Sequence, residues 1–145
     1  MKKIFNFFAT TLLLIPIVAK ADNYPINKNI DIKHYVFQLR LTDSNDEIIG
    51  TTQVTVNFKL AGMQNFRLDL INKTTEKKDK GMVVEGVSIS NTAVNYTHEN
   101  DALIIYLPKN SVANETITFT IKYHGIPFDG LRIGATKFGD RSFFN

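Results

Sequence analysis

Few side chains in this sequence could do chemistry. Three histidines occur, His34, His98 and His124. A zinc site needs ligands that converge, often two histidines four apart on one helical face. The one His-Glu pair is His98-Glu99 in "HENDA", and the fifth position there is Ala102, where a zinc-binding helix carries histidine. The segment also reads as a polar turn between strands. His34 and His124 fall at strand ends, where an imidazole usually serves as a surface or hydrogen-bonding group. The carboxylate pairs Asp46-Glu47 and Glu99-Asp101 lie in stretches rich in turn formers and read as solvated, with no sign of a pocket to perturb them. Cysteine is absent, and no G-x-S-x-G elbow, P-loop or G-x-G-x-x-G turn occurs. Three N-x-[ST] sequons, at Asn72, Asn95 and Asn114, matter only in a host that glycosylates. The sequence therefore offers no catalytic residue and no metal ligand set.

The elements that carry these side chains alternate with period two. In "DIKHYVFQLRL", Tyr35, Phe37, Leu39 and Leu41 face one way, and His34, Val36, Gln38 and Arg40 the other. Val54, Val56, Phe58 and Leu60 repeat the pattern, as do Phe66, Leu68 and Leu70. Strand character returns over 82–89, 94–97 and 102–107. It is clearest at Ile117, Phe119, Ile121 and Tyr123, before Gly125 and Pro127 stop it. The run 72–81 is charged and reads as a solvated loop, long enough to hold an extra hairpin. No stretch after residue 21 carries a 3.6-residue apolar stripe. The expectation is an all-β, antiparallel two-layer sandwich or saddle-shaped curved sheet of about seven to eight strands.

The two ends read differently. Lys2 and Lys3 precede a mostly apolar run, Ile4 to Val18, and Ala19-Lys20-Ala21 places small residues where a signal peptidase reads them. That is the layout of a secretory signal over 1–21, cleaved after Ala21. Its apolar run of 15 residues is short of the ~20 that span a bilayer. An exported product, periplasmic or secreted, with no membrane association after cleavage, is expected. Lys2, Lys3 and Lys20 leave with the signal, so 14 of the 17 basic residues remain against 14 acidic ones. The formal charge of +3 falls to zero, and a nucleic-acid role loses its electrostatic support. At the other end Gly125 to Gly139 reads as a connector, and Arg141-Ser142-Phe143-Phe144-Asn145 as a chain cut in mid-element.

The opening strand now gains meaning. Asp31-Ile32-Lys33-His34-Tyr35, followed by Leu39, resembles the D-[IV]-x-H-Y-x-x-x-L start of the amino-terminal domain of the aminopeptidase N family of zinc metallopeptidases. "FRLDL" (66–70), "VVEGVSI" (83–89), "LIIYLP" (103–108) and "TFTIKYHGIP" (118–127) resemble later strands of that domain in the same order. The resemblance covers about residues 28–145. It implies that 22–145 is an amino-terminal β domain, incomplete at its carboxyl end. The partner would be a catalytic domain of the same parent polypeptide, and peptides would be met only through the full enzyme. The family's H-E-x-x-H…E zinc site and G-x-M-E-N segment lie in that later domain and are missing here. No catalytic, metal or substrate residue is carried over. Zinc is expected in the catalytic domain, and no cofactor in this segment. One polar residue that the family's amino-terminal domain lends to the substrate pocket would fall close to or beyond Asn145. The competing expectations are a stand-alone secreted β-sandwich that binds or adheres, and a chaperone-like domain that lends a strand edge.

Overall fold

The structure is a computed structural model that describes residues 26–144. Ala19 and Ala21, and with them the proposed signal segment, lie outside the described residues. Ten strands follow in order: β1 (Ile30–Arg40), β2 (Ile48–Phe58), β3 (Asn65–Asp69), β4 (Gly81–Ile89), β5 (Thr92–Ala93), β6 (Tyr96–Glu99), β7 (Ala102–Tyr106), β8 (Glu115–Ile126), β9 (Arg132–Ala135) and β10 (Arg141–Phe144). Among the described residues the only helical element is a 3-10 turn, Thr75–Lys77. The strands form a five-stranded sheet of order β1-β2-β8-β4-β5, a three-stranded sheet β3-β7-β6, and the pair β9-β10. All pairs of named strands are antiparallel. The fold is all-β, as the alternation requires.

β2 and β8 form the spine of the large sheet. Both are rich in threonine, valine and isoleucine, which fit a pleated surface. They pair without a break from Ile48 opposite Gly125 to Phe58 opposite Glu115. Hydrophobic alternation fixes that register, because a slip of one residue would turn Val54, Val56 and Phe58 out to water. Two hairpins are set by two-residue turns with both residues at positive φ, Ser90-Asn91 between β4 and β5 and Asn100-Asp101 between β6 and β7. That geometry matches the twist of the strands they join.

The core lies between the two larger sheets. Val54, Val56, Phe58 and Phe119 from the large sheet meet Phe66, Leu103 and Ile105 from the small one, all almost wholly buried. Phe58, Phe66 and Phe119 pack edge-on or tilted, with ring centroids 4.9–6.4 Å apart. Such arrangements suit aromatic quadrupoles.

Three expectations change. Residues 125–139 are more than a connector: they contain β9, which pairs with β10 through Arg132 opposite Phe144 and Ala135 opposite Arg141. Leu131 and Ile133 pack this hairpin against the core. The loop 72–81 holds no hairpin. It folds into the 3-10 turn and is tied down by a ladder bridge between Asn72 and Met82. Leu60 lies past the end of β2 and is exposed, so the alternation overran the strand.

Candidate docking surface

The first strand does not share the fate of its neighbours. A bulge interrupts its pairing with β2 between Ile32 and His34. Before the bulge, Ile30 and Ile32 pack against the core. After it, every residue from His34 to Arg40 is exposed. Tyr35, Phe37 and Leu39 sit opposite Val54, Thr52 and Gly50, on the face that elsewhere forms the core. Yet they are 42%, 62% and 49% exposed. The tyrosine and phenylalanine rings stack at 5.4 Å, nearly parallel. Contiguous apolar exposure of this kind marks an interaction surface more than scattered single residues do.

A shallow groove of about 190 Å³ runs beside the stripe, lined by Tyr35, Phe37, Thr52, Leu68, Leu70 and Tyr123 among others. Its floor is built from β2 and β8, and its wall from β3 and the residue that follows it. Thr52 and Tyr123 share a hydroxyl–hydroxyl hydrogen bond of 3.2 Å there. Partial burial, and next the Asp69 carboxylate, push the Tyr35 phenol above its ordinary pKa. The chemistry on offer is apolar contact with a few hydroxyls, which suits a protein surface.

The histidines are dispersed. His34 is exposed on β1. His98 Nε2 lies 2.8 Å from the Leu70 carbonyl, joining β6 to the end of β3. His124 Nδ1 lies 2.6 Å from Glu47 Oε1, and its Nε2 is 3.9 Å from Glu85 Oε1. Among the described residues no group of three or more His, Cys, Asp or Glu could hold a metal ion. The described residues thus do not fit a zinc centre. Also among them, no helix is long and apolar enough to cross a membrane.

Three of the four carboxylates read as solvated turn out to be structural anchors, while Glu99 is exposed as expected. Asp46 pairs with Arg141, tying β10 to the loop before β2. Glu47 holds His124, as above. Asp101 accepts from Lys77 Nζ at 2.5 Å and from the Asn72 amide at 3.0 Å, while its own N–H donates to Asn72 Oδ1 at 2.8 Å. The Lys77 hydrogen bond is the largest cause that holds the Asp101 carboxyl below the ordinary aspartate range. Of the sequon asparagines, Asn72 is committed to this network, whereas Asn95 and Asn114 are exposed. The Asn100-Asp101 turn was the one local signal available. The other pairs join residues far apart in sequence, which spacing cannot reveal.

No protein-family model and no curated protein matches the sequence. Solved structures do match. The chain superposes on an M1 zinc metallopeptidase from Deinococcus radiodurans with a TM-score of 0.57 at 20% identity, over 69% of this chain and 21% of that one. This chain has the fold of a segment of an M1 zinc metallopeptidase. A second structure of the Deinococcus radiodurans enzyme, a mutant bound to a Tyr-Ser-Ala substrate, is 20% identical over 72% of this chain and 22% of its own, at a TM-score of 0.57. A two-domain M1 zinc metallopeptidase bound to L-tryptophan is 17% identical over 77% of this chain and 23% of its own, also at 0.57. The chain therefore spans about a fifth of the length of the enzymes it matches.

Proposed function

We propose that residues 22–145 are the non-catalytic amino-terminal β domain of an exported zinc aminopeptidase. Its task is to dock on a catalytic domain of the same parent polypeptide and help wall the active-site cavity. That catalytic domain holds the zinc and removes amino-terminal residues from peptides. A cavity closed by two domains admits a peptide end and excludes folded protein. Export rests on the layout of residues 1–21, with its small residues Ala19 and Ala21.

The observation that carries this reading is the exposed stripe Tyr35, Phe37 and Leu39 on the core-forming face of the large sheet. A face of this chemistry calls for a protein neighbour. The fold match to M1 metallopeptidases, over about a fifth of their length, supports further polypeptide as that neighbour.

The test is to read the genomic DNA on the 3′ side of the Asn145 codon and assay the product of the whole frame. The reading expects an in-frame H-E-x-x-H and zinc-dependent release of amino-terminal residues from peptides, lost on chelation. A stop codon in place of such a frame would favour the stand-alone binding module and overturn the proposal.

A further inference from the structure

A second concavity, of about 390 Å³, lies where the hairpin β9–β10 meets the end of β8. That volume is in the range of small-ligand sites. It shares no lining residue with the groove beside β1. Leu131 and Ile133 line it and also pack against the core, so part of its wall is fixed. Phe128 and Phe144 line it too, yet both are about half exposed. Lys80, in the loop before β4, and Arg132, in β9, complete it with positive charge. Among the described residues neither of these two side chains has an ion pair or a hydrogen bond. Of the two carboxylates in the lining, Asp46 is already paired with Arg141. Asp129 accepts only the N–H of the adjacent Gly130. Two free cations thus face one free carboxylate, which leaves a single positive charge without a partner.

We infer that this concavity binds the carboxyl-terminal residue of a peptide. Arg132 and Lys80 take the carboxylate, and an apolar side chain lies against Phe128 and Phe144. The planar guanidinium offers a carboxylate two parallel hydrogen bonds, and the lysine adds a point charge. Apolar walls with a few charged groups that fix orientation are the usual make-up of such sites. An inorganic anion would satisfy the cations and leave both phenylalanine rings in water. A neutral apolar ligand would cover the rings and leave the cations unpaired. A free amino acid carries no net charge, and its ammonium would sit beside the two cations. The end of a peptide has an amide in that place and one negative charge, which matches the charge left over. The site is built from residues of this chain alone, so the inference stands apart from the docking proposal.

The test is an NMR titration of the full chain with N-acetyl-L-phenylalanine, a mimic of a peptide's last residue. The amides of 126–133 are expected to shift and saturate, and those of β6 to stay in place. Three further probes each lack one feature. N-acetyl-L-phenylalaninamide has no charge, N-acetylglycine has no ring, and L-phenylalanine carries an ammonium. Each is expected to bind about tenfold more weakly or worse, the worth of one charged hydrogen bond or one buried ring at an open site. Arg132→Gln and Lys80→Gln, folded by circular dichroism, should each weaken N-acetyl-L-phenylalanine about tenfold. Lys122→Gln, at an exposed lysine of β8 outside the lining, should leave binding unchanged. No saturable shift, equal binding of any of the three further probes, or equal binding by the Arg132 and Lys80 variants would each overturn the inference. Should either variant fail to fold, the probe series on the unaltered chain decides.

Discussion

β8 and β1 lie in the same sheet and alternate in the same way, yet they end up in opposite surroundings. Phe119, Ile121 and Tyr123 of β8 are buried. Tyr35, Phe37 and Leu39 of β1 project from the same face of the sheet and are open. What separates them is position. β8 is central and its Phe119 packs against Phe66 of β3, whereas β1 is an edge strand whose Tyr35 and Phe37 only line the open groove beside β3. Alternation reports which side chains share a face. It does not report whether the face has a lid.

The largest effect expected from this contrast is a pair of truncations. Phe119→Ala removes a ring packed against Phe58 and Phe66 and should cost about 3–5 kcal/mol in urea unfolding. Phe37→Ala should change the stability of the dilute chain by no more than about 0.5 kcal/mol. Similar losses at the two sites would break the comparison.

Two glycines sharpen it at the next level. A Cβ on Gly125, in β8, would lie 2.2 Å from the Gly81 carbonyl oxygen of the paired strand β4, and backbone held in a ladder cannot move aside. Gly125→Ala should cost about 1–3 kcal/mol. Gly50 pairs with both Leu39 and Tyr123, between the two strands compared. A Cβ there would lie 2.3 Å from the outer end of the Tyr123 ring, which can swing into the groove beside β1. Gly50→Ala should cost only about 1 kcal/mol, the worth of the Thr52–Tyr123 hydrogen bond it disturbs. Thermal melts of the two variants rank them.

The smallest effect concerns the loop network. Asp101 titrates below its ordinary range in the folded chain, chiefly through Lys77. Its contribution is therefore fully present above the unfolded value and is lost as pH falls through the lowered one. Asp101→Asn keeps an acceptor for the Asn72 amide but loses the charge. At neutral pH it should cost about 0.5 kcal/mol, since the pair is partly exposed and screened. Below the carboxylate range the variant and the unaltered chain should unfold alike.

Much of this architecture was legible because strands write themselves with period two. Val54, Val56 and Phe58, then Phe119 and Ile121, announce both the faces and the core that buries them. The hairpin β9–β10 escaped because "RIGA" is short, holds glycine and has only Leu131 and Ile133 as apolar anchors. Asp46, Glu47 and Asp101 looked like solvated turn residues because their partners Arg141, His124 and Lys77 come from elsewhere in the chain. The exposed stripe was half legible. The alternation grouped Tyr35, Phe37 and Leu39, but only three-dimensional placement shows that they stay exposed beside an open groove that β3 helps to line.

Thiol labelling puts the central claim to the most direct test, since the sequence has no cysteine to interfere. Single variants Phe37→Cys and Ile121→Cys are compared in dilute, monomeric solution under native conditions. The account predicts that the thiol on β1 reacts at the rate of an unfolded peptide, while the thiol on β8 reacts only as fast as the chain opens. Equal protection at the two positions would contradict it.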